Sequence, residues 1–135
     1  MTYSKNRNWN SHGGNMYAET VNGVTSYYID YYIEVNMPYN GQSFVVADSV
    51  TKGGMVHAAE APTLEYLVNG SKQETSAQLS YTDEQNGAKR TFTITAPDGE
   101  KLGAGTYRIH YRMNVDAAVA DMLQNGNDVI VGNSA

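Results

Sequence analysis

Cysteine is absent from the 135 residues, which excludes disulfides, thiolate metal sites and thiol nucleophiles together. For a β-rich domain working outside the cell this leaves open what, if anything, staples it. Basic residues are also few: nine Lys and Arg stand against fourteen Asp and Glu, for a net charge of -5. They are dispersed along the chain, so no basic stripe exists to neutralise phosphates, and nucleic acid is not an expected partner. No apolar run is long enough to span a bilayer, so membrane insertion is not expected either. Met1-Thr2-Tyr3-Ser4-Lys5 lacks the apolar core of a signal peptide, and the chain reads as one domain excised from a longer protein.

What is plentiful is turn and strand chemistry. Thirteen Gly and eleven Tyr against three Pro and two Phe suit many turns between strands faced with amphipathic aromatics. A hydrophobic content of 41% is enough for a core, and the length suits a single domain over 1–135.

Alternation carries the fold. In Tyr27–Asn36, residues Tyr27, Ile29, Tyr31, Ile33 and Val35 share one face, and Asp30, Glu34 and Asn36 share the other, the signature of a strand with one buried side. Phe44–Val50 puts Phe44, Val46, Asp48 and Val50 on one face. Leu64–Val68 closes on Asn69-Gly70, a hairpin signal. Ala77–Tyr81 and Arg90–Ala96 flank an Asp83–Gly87 turn, and Thr106–Met113 points Tyr107, Ile109, Tyr111 and Met113 inward. The first twenty-odd residues read as an irregular lead-in with one short strand near Tyr3–Arg7. A short helix is expected over Asp116–Gln124, then a last strand over Asp128–Ala135. Seven or more short strands at this spacing predict an all-β fold, an Ig-like antiparallel β-sandwich with one short crossover helix.

Two polar residues fall on faces that the alternation assigns to the core. Asp48 lies among Phe44, Val46 and Val50, and Asn133 among Val129 and Val131. A buried carboxylate must be paired or protonated, and a buried amide hydrogen-bonded.

The order of these strands resembles a known family. An early lysine precedes Tyr31-Tyr32-Ile33-Glu34-Val35-Asn36, then Phe44-Val45-Val46-Ala47-Asp48, then Tyr107-Arg108-Ile109-His110-Tyr111 before a helical crossover, and the chain closes on Asn133-Ser134-Ala135. The arrangement is similar to the collagen-adhesin-type (CnaA-like) sandwich domains of Gram-positive surface adhesins and pilins. The resemblance implies a structural or adhesive module, extracellular and attached to the cell wall through its parent protein. It also implies a spontaneous Lys–Asn isopeptide bond, with Lys5 as the amine, Asn133 as the carboxamide and Asp48 as the assisting acid. Lys52, Lys72, Lys89 and Lys101 sit in or beside apparent turns, which leaves Lys5 as the candidate. Asn127 is a second possible acceptor, and Asp30 and Glu34 are rival acids whose parity puts them outside. The implied partners are neighbouring domains of the parent protein, and a host or matrix protein or a glycan.

Other functions have less to stand on. His12, His57 and His110 are scattered without metal-ligand spacing, and no phosphate loop or nucleophile elbow stands out, so neither a turnover enzyme nor a cofactor is expected. The alternative is a carbohydrate- or protein-binding module without a cross-link, built on Tyr28, Tyr32 and Tyr39. Asp83–Gly87 and Asn125–Asp128 offer oxygen ligands but do not fit a calcium loop, and turn chemistry accounts for both.

Overall fold

The computed structural model describes residues 1–50, 54–124 and 133–134. Among the described residues, eleven strands form two antiparallel sheets, an all-β sandwich, with one short helix. The long strand β3 (Val24–Met37) organises the first sheet. Its C-terminal half pairs with β1 (Thr2–Arg7), its N-terminal half pairs on β2 (Tyr17–Val21), and β10 (Gly105–Val115) also pairs with it, from Gly105 opposite Met37 to Val115 opposite Tyr27. β5 (Met55–His57) and β6 (Thr63–Val68) pair with β10, and β7 (Ser71–Gln73) continues from β6. The second sheet runs β11 (Asn133–Ser134), β4 (Phe44–Val50), β9 (Lys89–Thr95) and β8 (Gln78–Glu84). Helix α1 (Ala117–Gln124) lies between β10 and β11 in the chain, and its first turn is closed by the Ala120 N–H on the Asp116 carbonyl.

The expected faces are the buried ones. Ile33, Val35, Phe92, Ile94, Ile109 and Met113 are sealed between the sheets, each contributing on the order of 2 kcal/mol of apolar burial. Two expectations change. The lead-in is not irregular throughout, because Tyr17–Val21 forms a hairpin with β3 around Asn22-Gly23, whose φ angles of 50° and 77° suit a type I′ turn. The Asp83–Gly87 turn is shorter than expected: Asp83 and Glu84 pair with Arg90 and Lys89, and only Gln85–Gly87 turns. Of the predicted last strand, Asn133–Ser134 is described, and Asp128–Gly132, Ala135, Asn127 and Lys52 lie outside the described residues. No helix among those described is long and apolar enough to cross a membrane.

Candidate functional site

The alternation of β4 turns Asp48 inward with Phe44 and Val46, and the carboxyl group is fully buried. Such a group costs several kcal/mol to desolvate unless partners compensate. Both partners come from the opposite sheet. Lys5, opposite Ile33 in the β1–β3 register, brings Nζ to 2.7 Å from Asp48 Oδ1, with only 10% of its side chain exposed. The ammonium also stands 4.5 Å from the Tyr31 ring centre and 5.8 Å from that of Tyr111, a favourable placing over π faces. His57 at the end of β5 brings Nε2 to 2.8 Å from Asp48 Oδ2, with both side chains fully buried. This close approach lacks the alignment of a regular hydrogen bond, and His57 Nδ1 has no hydrogen-bond partner among the described residues. Each carboxylate oxygen is thus met by a different base.

The electrostatics follow from burial. Removal from water lowers the Lys5 pKa below its ordinary value, and the adjacent Asp48 opposes this without cancelling it. Burial raises the pKa of Tyr111 well above that of a free phenol, and the Asp48 charge adds to the effect. The Tyr111 hydroxyl feels that carboxylate without the geometry of a hydrogen bond to it. Tyr31 is raised for the same first reason, burial.

A second buried ion lies beside the first. Arg90 is opposite Asp48 in the β4–β9 register and is 1% exposed. Its guanidinium belongs to another carboxylate, with Nε 2.6 Å from Asp83 Oδ1 and Nη2 2.9 Å from Oδ2. Nη2 also donates to the Ala58 carbonyl at 3.1 Å, and the Tyr81 ring covers the group at 4.3 Å. Arg90 is thus held by Asp83, while Lys5 and His57 lie against Asp48.

The structure therefore brings Lys5 and Asp48 together. Asn133 stands opposite Val50, two residues from Asp48 along β4; opposed residues of an antiparallel pair share a face of the sheet. The side chain of Asn133 is outside the described residues. Lys72 is three-quarters exposed, Lys89 pairs with Glu84, and Lys101 is exposed. The rival acids are committed elsewhere: Asp30 accepts from Ser11 and Tyr17, and Glu34 accepts from Arg108. Tyr28 carries the Arg112 guanidinium on its ring at 3.7 Å, and Arg108 and His110 lie 5.6 and 5.8 Å from the ring of Tyr32. Of the three, only Tyr39 is exposed; Tyr28 and Tyr32 are half-buried.

Sequence reasoning missed His57 and Arg90. His57 sits in a three-residue strand, too short for period-two alternation to register. Arg90 was legible, since it shares parity with Phe92 and Ile94 and is the one charged residue on that face of β9. Neither residue's role can be read from relatives: no known protein family, no curated protein and no solved structure matches the chain.

Proposed function

We propose that the chain is a structural or adhesive module of a bacterial cell-surface protein, stabilised by an autocatalytic isopeptide bond between Lys5 and Asn133 with Asp48 as the assisting acid. The observation that supports it is the buried contact of Lys5 with Asp48 across the two sheets, with Asn133 on the strand flanking β4.

The chemistry needs a neutral amine, and burial favours it. Moving the Lys5 proton to Asp48 leaves a free amine beside a protonated carboxyl. The amine attacks the side-chain carbonyl of Asn133, the carboxyl polarises that oxygen and shuttles the proton, and ammonia leaves as the amide forms. Holding the reactants in one packed core can supply roughly 7–11 kcal/mol of the barrier. Each molecule reacts once, so this is maturation and not turnover.

The bond would tie the first strand to the last, and tension between the two ends would bypass most of the sandwich. By analogy with disulfides, closing so long a loop contributes about 4–5 kcal/mol. The partners in this reading are the neighbouring domains of the parent protein and a matrix protein or glycan at the cell surface. The test is tandem mass spectrometry of a proteolytic digest. The reading predicts a branched peptide joining the segments around Lys5 and Asn133; recovery of both segments only as linear peptides would overturn it.

A further inference from the structure

The loop between β1 and β2 carries the chain's one tryptophan and leaves it in water. Trp9 is 66% exposed, an unusual place for so large an apolar side chain. The loop around it is nonetheless built. The Asn8 N–H bonds to the Asp30 carbonyl of β3, the Ser11 N–H to the Asn8 carbonyl, and the Gly14 N–H to the Ser11 carbonyl. Ser11 Oγ donates to the Asp30 carboxylate, and His12 stacks on Tyr17 with ring centres 3.8 Å apart. Gly14 backs the indole: at its φ of 73°, a Cβ would come within 2.5 Å of the six-membered ring of Trp9. Trp9 is thus held in place with most of its surface open.

Asn8, the next residue, lines a cleft of about 170 Å³ that reaches across β3 and β10 to Glu60 and Thr63. Asp30 and Arg112, opposed in the β3–β10 register, line it as well, with Tyr17. Its polar groups are fixed by one another. Tyr17 donates to Asp30 Oδ1 at 2.6 Å, and Arg112 meets Glu19 through Nη1 at 2.6 Å and Glu60 through Nη2 at 2.9 Å. Capacity is left over. Arg112 Nε is buried without a hydrogen-bond partner among the described residues, which in a folded protein calls for a water or a ligand. Glu60 meets Arg112 through Oε2, and 62% of its side chain is exposed.

We infer that Trp9 and this cleft form a binding site for a neutral glycan, the indole stacking on the apolar C–H face of a pyranose ring while the cleft takes hydroxyl groups. A hydroxyl both donates and accepts, so a sugar can satisfy a carboxylate, an amide and a guanidinium side by side. A protein anchor point is ordinarily ringed by contacts that exclude water, whereas the chain neighbours of Trp9 are Asn8, Asn10, Ser11 and His12. The carboxylates of Glu19, Asp30 and Glu60 outnumber the Arg112 guanidinium, which disfavours an anionic sugar. Tyr28 and Tyr32 already have arginines at their rings, so their faces are less available than that of Trp9. The inference does not depend on the cross-link.

Because Trp9 is the only tryptophan, its fluorescence in the full chain reads this site directly. The probes are cellohexaose, xylohexaose, mannohexaose and chitohexaose, with a hyaluronan hexasaccharide as the anionic sugar and a collagen-like triple-helical peptide as the protein ligand. At about 10 mM, where even a millimolar site would be mostly filled, at least one neutral oligomer is expected to change the emission and shield Trp9 from acrylamide. Calorimetry with that oligomer should show affinity lowered about tenfold or more in Trp9→Ala, with Trp9→Phe, which keeps a ring, in between. Glu60→Ala retains Trp9 and tests the cleft by a second route; it should weaken binding several-fold. Silence from all four neutral oligomers, binding undiminished in Trp9→Ala, or a response to the peptide or hyaluronan alone would overturn the inference. The readout is binding and not mass, so such a result would leave the cross-link reading standing.

Discussion

Lys5 Nζ lies 2.7 Å from Asp48 Oδ1 although the two residues belong to opposite sheets. It is an ion contact through the middle of a sandwich whose other inward positions are mostly apolar. Replacing a buried pair by hydrophobic residues often stabilises a protein, so the pair is better explained by what it can do than by what it holds.

Asp48→Asn tests that explanation with little change of shape. The amide can still hydrogen-bond Lys5, but it cannot take a proton from it. Formation of the cross-link, followed by intact mass after refolding, should slow by about 100-fold or more. A wild-type rate would show that Asp48 is not the assisting acid.

The depressed pKa of Lys5 has a consequence for stability in a protein that cannot cross-link, such as Asn133→Ala. At low pH both states carry the ammonium, and the burial penalty is fully present. As pH rises from the lowered folded value toward the ordinary 10.5, the folded state sheds its proton first and the unfolded chain binds more. Stability therefore rises with pH across that window. Urea midpoints of Asn133→Ala should increase as pH rises toward the ordinary 10.5 relative to Asn133→Ala/Lys5→Met, where the linkage is absent. The double variant also cancels the tyrosines, whose raised values act in the opposite direction near the top of the range.

Arg90 is buried on the strength of one carboxylate, so Asp83→Ala should be costly. Breaking a buried pair costs roughly 3–5 kcal/mol, and the 40% exposure of Asp83 argues for discounting this to about 2 kcal/mol. The same pair sets an acid limit. Asp83, held down chiefly by its hydrogen bonds from Arg90, contributes stability above the ordinary 3.8, and that contribution is lost as pH falls through its lower folded value. Denaturant curves for wild type and Asp83→Ala should converge at low pH.

Gly105 opens β10 at φ 139°, and a Cβ there would come within 2.6 Å of the Leu67 carbonyl oxygen. Backbone cannot retreat as a side chain can. Gly105→Ala should lose about 2 kcal/mol or more of stability in thermal or urea unfolding, whereas Gly70→Ala meets no atom and bears only the strain of its positive φ.

Period-two alternation made the core of this fold legible. Tyr31, Ile33, Val35, Phe44, Val46, Tyr107 and Ile109 are buried where parity put them, and the same parity identified Asp48. Lys5 was reached by elimination, because β1 alternates no apolar residues of its own; its inward face is set by pairing with β3, a tertiary fact. β2 was missed although Asn22-Gly23 carries the same turn signal that revealed Asn69-Gly70, because its outward residues, Ala18 to Val21, show no buried face. His57 lay beyond reach for a different reason: three residues cannot display a period, and its burial is made by β10 and β9 packing over it.

The most direct test of the central claim is the intact mass of the purified domain against the mass calculated from its sequence. The account predicts a deficit of one ammonia in the wild type, abolished in Lys5→Ala and in Asn133→Ala and impaired in Asp48→Ala. A wild-type protein of full mass would contradict the cross-link and leave only the sandwich.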